Sequence, residues 1–148
     1  MAEIKRLGPD DVSLFRKMMR MFGEAFVEPG NYSAEGVSAA YQRERLGDPT
    51  FFALAALAKG KVVGGLCAYE LLKFEQQRSE IYIYDLAVDA RHRRKGIATA
   101  LIDELRLIAQ ACGAWTIFVQ ADHGDDEAIA LYTKLGTRED VLHFDIKP

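Results

Sequence analysis

Residues 81–88 read IYIYDLAV, and residues 91–102 read RHRRKGIATALI. The first stretch alternates as a half-buried strand does, with its two isoleucines on one face and its two tyrosines on the other. If the alternation continues, Asp85 falls on the isoleucine face, whereas a β-bulge would move it to the tyrosine face. The second stretch places a basic turn and a glycine directly before an apolar helix. Together they predict a strand, an anion-binding turn and a helix.

The composition predicts one folded domain over residues 1–148. With 49% apolar and 28% charged residues, the chain lies outside the range of disordered proteins and is long enough for an ordinary core. A formal net charge of −3 argues against binding nucleic acid through overall charge. No apolar run approaches the roughly 20 residues of a membrane span, and the N-terminal residues lack the apolar region of a secretory signal. We therefore expect a cytoplasmic protein without membrane association.

The hydrophobic pattern predicts an α/β fold. Pro9 suits the first turn of a helix, and Lys59-Gly60 suits the turn of an antiparallel hairpin. The predicted elements are strand 3–7, helix 9–26, helix 33–46 capped by Ser33, strands 51–58, 62–71 and 80–88, helix 97–112 stopped by Gly113, strand 115–121, a helix from 125 or 126 to 136, and strand 141–146. This order indicates a mixed, mostly antiparallel central sheet with helices on both faces.

The two cysteines give no sign of a metal or disulfide site. Cys67 lies in a predicted strand and Cys112 near the end of a helix, without CxxC spacing. We expect both to be small buried hydrophobic residues, and we expect no bound metal.

The turn from Arg93 to Gly96 has the features of a phosphate-binding site. A helix N-terminus offers free N–H donors and the positive end of the helix dipole. Gly96 and the small Ala98 permit close approach to the backbone, and the basic side chains add charge-assisted hydrogen bonds. The spacing is neither that of a Walker loop nor GxGxxG. A solvated basic turn is the alternative interpretation.

Three segments carry a resemblance to a known family. Residues 93–98, RRKGIA, resemble the Q/R-x-x-G-x-G/A acetyl-CoA motif of the GCN5-related N-acetyltransferases. Residues 85–88, DLAV, resemble the strand before that motif, and residues 128–136, AIALYTKLG, resemble the later AxxLYxxLGF segment. SEIYIYDLAV, HRRKGIATALI, residues 119–126, ALYTKLG and HFDI together resemble the aminoglycoside 3-N-acetyltransferases of the gentamicin-resistance type.

This resemblance implies acetyl-CoA as the donor and a small-molecule aminoglycoside as the acceptor. The implied cofactor-binding residues are Leu86, Ala87 and Val88, through their backbone, and Arg93, Arg94, Lys95, Gly96, Ile97, Ala98 and Thr99 for the diphosphate. The chain departs from the family where Asp125 stands for a frequent Asn and Thr137 for a Phe. It also has Gln120 where many relatives that acetylate protein N-termini carry a catalytic Glu. An amide cannot accept a proton, so a base must lie elsewhere.

Acetyl transfer to an amine requires the removal of a proton, because an ammonium group has no lone pair to attack a thioester. A carboxylate with a raised pKa can accept this proton directly or through a water. Burial raises a carboxyl pKa, so Asp85 is the preferred base, and Glu80 is the alternative. The structural interpretations of Asp85 are that it caps a bulge or pairs with an arginine.

The remaining candidates concern the leaving group and the acceptor. Tyr132 resembles the general-acid tyrosine of the superfamily and would protonate the CoA thiolate; a core tyrosine is the alternative. An aminoglycoside carries several ammonium groups, so acidic residues should line its pocket. Glu80, Asp122 and Asp125 are the candidate acceptor-binding residues. Further acids that follow the strand or lie near the first helices are Asp126, Glu127, Glu24, Glu28 and Glu35.

Two other functions remain open. An acetyltransferase of a polyamine or another small amine would use the same donor. A non-catalytic CoA- or RNA-binding module would use the basic turn alone, and binding of RNA through that turn would depend steeply on salt. Whether the chain forms a homodimer is left open by the sequence.

Overall fold

The computed structural model describes residues 2–33 and 36–148. None of the described helices is long and apolar enough to cross a membrane. Short 3-10 turns at Pro9–Asp11 and Ala90–His92 precede the first and third helices. The elements, in chain order, are β1 (Glu3–Arg6), α1 (Val12–Ala25), α2 (Ala39–Gly47), β2 (Phe51–Ala58), β3 (Lys61–Leu72), β4 (Ser79–Val88), α3 (Ile97–Cys112), β5 (Ala114–Val119) and α4 (Asp126–Leu135).

The strands of the described ranges form one five-stranded sheet in the order β1-β2-β3-β4-β5. Neighbouring strands are antiparallel except β4 and β5, which are parallel because α3 connects them across one face. Helix α1 packs on the opposite face. The predicted mixed, mostly antiparallel sheet with helices on both faces is therefore confirmed.

Two hydrophobic clusters hold the helices to the sheet. On one face, the apolar stripe of α3, which includes Leu101 and Leu105, packs on residues such as Ile81 of β4. On the other face, Met18 and Phe22 of α1 are almost completely buried. Burying such side chains contributes roughly 1.5–3 kcal/mol each. The two clusters fix β4 between helices on both sides.

Two adjacent glycines of β3 let both helices approach the sheet closely. A Cβ at Gly64 would lie 2.9 Å from Ile97 Cγ2 at the start of α3. A Cβ at Gly65 would collide with Met18 of α1. Because Gly64 pairs with Val88, this close packing lies beside the end of β4.

The second helix begins later than predicted. The sequence places its cap at Ser33, but α2 begins at Ala39, and the Ser38 side chain accepts a hydrogen bond of 3.1 Å from the Tyr41 N–H. Gly36 is a poor helix former, and Ser38 lies directly before the observed start of the helix. Residues 34 and 35 lie outside the described residues, and so does the candidate acid Glu35.

The predicted last strand, 141–146, is absent from this sheet, and residues 137–148 have no regular secondary structure. A strand needs a hydrogen-bonding neighbour, and among the described residues none lies beside this segment. The preceding strand, β5, ends at Val119 rather than at residue 121. Cys112 is also not buried as predicted, since it occupies the exposed last turn of α3, whereas Cys67 is buried.

Candidate active site

A bulge in β4 decides which way the candidate base points. Ala68 of β3 pairs with Ile83, and the next β3 residue, Cys67, pairs with Asp85, so Tyr84 is the extra residue. The bulge reverses the alternation, and Asp85 moves from the isoleucine face to the face of the tyrosines, which α1 covers. The sequence left open a regular strand or a bulge, and the structure has the bulge, which places Asp85 on the tyrosine face.

The parallel pairing of β4 with β5 also ends at this point. The last paired residues are Ile83 and Val119. From Asp85 to Val88, β4 stays paired with β3 on one side, and no described strand occupies its other side. Backbone donors and acceptors of Leu86 and Ala87 are thus beside an opening in the sheet, where an extended ligand can form strand-like hydrogen bonds.

Asp85 is half-buried beside this opening and has one side-chain hydrogen-bond partner among the residues that the structure describes. The Tyr32 hydroxyl donates a hydrogen bond of 3.1 Å to Asp85 Oδ2. Burial raises the pKa of the Asp85 carboxyl, the hydrogen bond from Tyr32 opposes that rise, and the negative charge of Glu28 adds to it. Burial and the nearby Asp85 raise the pKa of Tyr32, so Tyr32 stays protonated and donates. A carboxyl with a raised pKa suits proton transfer near neutral pH.

The basic turn leads directly into α3. Gly96 adopts a left-handed conformation at φ 78°, and the N-terminus of α3 has no side-chain cap. The first N–H groups of the helix, from Ile97 to Thr99, therefore remain available for an anion. The space at Gly96 is open, because a Cβ there would meet nothing within 4 Å.

The basic side chains of the turn differ in the contacts that they make. Arg93 Nε donates to the Val88 carbonyl at 3.3 Å, and its guanidinium lies 4.0 Å from Glu127. Arg94 and Lys95 are exposed and have no ion-pair partner in the part of the chain that the structure describes. Arg93 therefore ties the turn to β4 and α4, while its neighbours are free to contact phosphate oxygens. These residues fit a diphosphate such as that of CoA.

Tyr132 lies on the other face of the sheet. It lies in α4 and packs, partly buried, against the cluster on the α3 side. Burial, with the nearby charge of Asp125, raises the pKa of Tyr132 to about 12. Among the described residues its hydroxyl has no hydrogen-bond partner. The group is thus protonated at neutral pH and able to donate.

Glu80, the alternative base, has other partners. Its carboxylate lies 2.7 Å from Lys73 Nζ and accepts a hydrogen bond of 3.2 Å from Trp115 Nε1. The Lys73 contact holds the pKa of Glu80 below its ordinary value. Five residues along β4 separate it from Asp85, about 16 Å. The structure does not bring Glu80 to the opening.

The acids after β5 are exposed and partly committed to the helix start. Asp125 caps α4 by accepting a hydrogen bond of 3.3 Å from the Ala128 N–H. Asp122 accepts through its backbone carbonyl from the Asp125 N–H at 3.2 Å, leaving its carboxylate exposed. Of the acids near the first helices, Glu28 is exposed, and its negative charge adds to the rise in the pKa of Asp85. Glu24 is exposed in α1.

Gln120 supports an aromatic pair rather than a proton transfer. Its side-chain oxygen accepts a hydrogen bond of 2.9 Å from the Tyr82 hydroxyl. The Tyr82 ring stacks on Phe118 of β5, with centroids 4.7 Å apart and planes at 3°. This pair holds β4 and β5 together just before they separate.

The structure therefore brings Tyr32 to Asp85 on the α1 face of the sheet, whereas Tyr132 packs on the α3 face, where the basic turn leads into α3. Tyr32 was missed by the sequence reasoning. It lies 53 positions from Asp85, in a segment whose glycine and proline indicate only a turn, so no local signal connects the two residues.

The chain is similar to one known protein family and to solved structures of acetyltransferases. Residues 15–137 match the model of the Acetyltransferase (GNAT) family. No curated protein sequence matches the chain significantly. An aminoglycoside acetyltransferase from an uncultured soil metagenomic sample is 53% identical, with 100% of this chain and 99% of that chain covered and a TM-score of 0.98. A second such enzyme, solved with sisomicin, is 32% identical, with 99% and 96% covered and a TM-score of 0.91.

A more distant structure shares the fold. AAC(6')-Iy, in complex with the bisubstrate analogue CoA-S-monomethyl-acetylneamine, is 15% identical, with 100% and 99% covered and a TM-score of 0.82. The first comparison also extends to the end of the chain. A TM-score of 0.98 over all residues requires that the segment after Gly136 follow the same course in the metagenomic enzyme.

Proposed function

The chain belongs to the acetyltransferase (GNAT) family, and on that premise we propose that it transfers the acetyl group of acetyl-CoA to the 3-amino group of an aminoglycoside. The observation that carries the proposal is the half-buried Asp85, hydrogen-bonded to Tyr32 at the opening between β4 and β5. The full-length similarity to metagenomic aminoglycoside acetyltransferases supports the acceptor class. We propose that residues 1–148 act as one acetyltransferase domain.

Enzymes of this family use acetyl-CoA, and we assign its binding to the turn and to the open side of β4. The free N–H groups of Ile97, Ala98 and Thr99, with Arg94 and Lys95, would contact the diphosphate. The uncapped start of α3 and the open space at Gly96 support this assignment. The backbone of residues 86–88 would hold the pantetheine arm. Arg93 would order the turn, because it donates to the Val88 carbonyl.

Asp85 would accept the proton that the acceptor ammonium must lose before its nitrogen attacks the thioester carbon. Tyr32 orients the carboxylate, and its hydrogen bond opposes the rise that burial causes in the pKa of Asp85. Glu28, whose charge acts on Asp85, would attract the ammonium groups of the substrate. Because the amine attacks the thioester directly, no residue of the chain forms a covalent bond to the acetyl group.

Tyr132 would donate its proton to the sulfur as the carbon–sulfur bond breaks. Its raised pKa keeps the proton on the hydroxyl until negative charge develops on the leaving thiolate. Asp85 and Tyr132 would then act from opposite faces of the sheet, one on the arriving nitrogen and one on the departing sulfur. The exposed acids Asp122 and Asp125 would contribute to acceptor binding at the rim.

Thiol release from acetyl-CoA tests the activity. We expect release with gentamicin and sisomicin and little with spermidine, and we expect the product to carry its acetyl group on the 3-amino nitrogen when mapped by NMR. Release with spermidine alone would favour the small-amine function, and acetylation of another aminoglycoside nitrogen would contradict the 3-N position. No release from folded protein that binds CoA would contradict the proposal.

The Asp85→Asn variant tests the base. The amide keeps the size of the side chain but cannot accept the proton, so we expect kcat to fall by about 10²–10⁴-fold. CoA affinity, measured by calorimetry, should stay within about twofold of wild type, because the diphosphate is assigned to the turn before α3 and not to the side chain of Asp85. Glu80→Gln is the matched control on the same strand and should keep most of the activity. A fall with Glu80→Gln but not with Asp85→Asn would move the base to Glu80.

A further inference from the structure

Aromatic side chains form a continuous row across three strands, on the face of the sheet that carries Asp85. We call this row the aromatic strip; its members, from β3 to β5, are Tyr69, Tyr84, Tyr82 and Phe118. Tyr69 and Tyr84 meet edge to face with ring centroids 5.8 Å apart, and the Tyr82 ring lies 6.0 Å from that of Tyr84. Tyr82 stacks in turn on Phe118, so each ring of the strip contacts the next.

The β3 end of the strip is open to solvent. Tyr84 is 62% exposed and Tyr69 is 40% exposed. In an edge-to-face pair each ring covers at most one face of the other, so aromatic faces remain accessible at this end. A single exposed aromatic residue is ordinary, whereas a contiguous row of such rings indicates a surface that binds a ligand.

The bulge joins the strip to the candidate base. Tyr84 is the extra residue of the bulge, and Asp85 follows it on the same face of the sheet. Burial, then the nearby Tyr84 and Asp85, raise the pKa of Tyr82, so the charge of Asp85 is felt along the strip. A ligand whose amine reaches Asp85 can therefore rest its neighbouring ring on these side chains.

The expected acid on this stretch of β4 is already neutralised. Glu80 lies two positions before Tyr82 and forms an ion pair of 2.7 Å with Lys73. An amino sugar carries C–H groups on its ring faces and ammonium groups on its rim. Aromatic faces pack against apolar groups and attract cations through their π electrons. The strip thus offers aromatic rings to a cationic acceptor where the sequence predicts an acidic wall.

We propose that the aromatic strip, with Tyr84 as its central residue, holds an amino-sugar ring of the acceptor beside Asp85 and so favours ring-bearing amines over open-chain ones. This inference rests on the proposed function, because it assigns the acceptor of that reaction to a surface. An open-chain polyamine has ammonium groups but no ring face, and it gains only part of the contact.

Binding of gentamicin to the CoA-bound protein tests the strip without acetyl transfer, because CoA carries no acetyl group. Tyr84→Leu keeps an apolar side chain but loses the ring, and calorimetry should show gentamicin bound about tenfold more weakly. Tyr84→Phe restores the ring without the hydroxyl and should recover most of the lost affinity. Phe74→Leu is the matched control, because Phe74 is a fully exposed ring at the β3–β4 turn, and it should bind gentamicin as wild type does.

Steady-state kinetics gives a second measurement. The KM for gentamicin should rise about tenfold in Tyr84→Leu, the KM for spermidine should rise less, and CoA affinity should stay that of wild type. Equal gentamicin affinity in Tyr84→Leu and wild type would overturn the proposal, and so would a wild-type protein that binds no aminoglycoside. Unchanged affinity with an altered mass of Tyr84→Leu in light scattering would overturn it too, by assigning the strip to contacts between copies.

The outcome for the strip is separate from that for the proposed function. A protein that binds gentamicin with the expected dependence on Tyr84 but releases no thiol from acetyl-CoA would support the strip and contradict the transfer. A protein that acetylates gentamicin equally well with and without the Tyr84 ring would support the transfer and overturn the strip.

Discussion

Replacing Tyr32 with phenylalanine isolates the hydrogen bond that controls Asp85. The ring contacts of Tyr32 with Phe22 and Phe26, at 5.9 and 5.6 Å between centroids, remain in Tyr32→Phe. Only the hydroxyl that donates to Asp85 is lost. This bond lowers the pKa of Asp85 against the effect of burial, so its loss raises that pKa further. The base must be ionised to act, and the acid limb of the pH–rate profile therefore moves to higher pH.

The size of the effect follows from the hydrogen bond. A hydrogen bond to a charged group contributes about 1.5–3 kcal/mol. Because Asp85 is only half-buried, water replaces part of this hydrogen bond, and we take the lower end of the range, about 1.5 kcal/mol. This energy corresponds to roughly a factor of ten in the proton equilibrium. On the acid limb, kcat/KM of Tyr32→Phe should be about tenfold below wild type. On the alkaline plateau the two should agree.

The assay is thiol release measured across the pH range for both proteins, expressed as the ratio of their kcat/KM values. Ionisation of the acceptor amine affects both enzymes equally and cancels in the ratio. Tyr82→Phe is the matched control, because its hydroxyl donates to the neutral amide of Gln120, and its ratio should not vary with pH. If the ratio for Tyr32→Phe were also independent of pH, the role assigned to the Tyr32–Asp85 pair would be refuted.

Three further predictions concern the acid, the turn and the fold. Tyr132→Phe should lower kcat by about 10²-fold, and the loss should shrink for a thioester with a more acidic thiol; an equal loss with both donors would contradict the acid role. Gly96→Ala places a Cβ at φ 78°, which costs about 1–2 kcal/mol, so calorimetry should show CoA binding roughly 5–30-fold weaker. Gly65→Ala forces a Cβ against Met18 and should cost about 2 kcal/mol, a fall in Tm of roughly 4–8 °C. Gly30→Ala, whose Cβ would meet nothing within 4 Å, should leave Tm unchanged.

Elements with strong local signals were predicted well from the sequence. The apolar stripe of α3 and the stop at Gly113, which adopts φ 75°, fix a helix whose observed bounds, Ile97–Cys112, are the predicted ones. The hairpin at Lys59-Gly60 is likewise confirmed, because a turn residue with positive φ lies between two apolar runs. In both cases the determining interactions lie within a few residues of each other.

Features that depend on distant partners were not predictable in this way. The hydrogen bond between Tyr32 and Asp85 joins two elements with no common local pattern. The strand predicted for residues 141–146 reflects the intrinsic preference of VLHFDI, but a preference does not supply the neighbouring strand that pairing requires. The cap of α2 is Ser38 rather than the predicted Ser33, because a cap lies directly before the first helical residue and α2 begins only at Ala39.

The bulge at Tyr84 connects the fold to the chemistry more directly than any single side chain. One extra residue turns Asp85 towards Tyr32 and the α1 face. The pairing of β4 with β5 ends at Ile83, immediately before that residue. A bulge increases local twist and bends the strand that carries it, so the same irregularity accounts for the opening in the sheet and for a carboxylate at its edge. A regular strand would have directed Asp85 into the cluster under α3, where it would be buried without Tyr32. The carboxylate that looks misplaced in IYIYDLAV is therefore correctly placed only because the strand is irregular there.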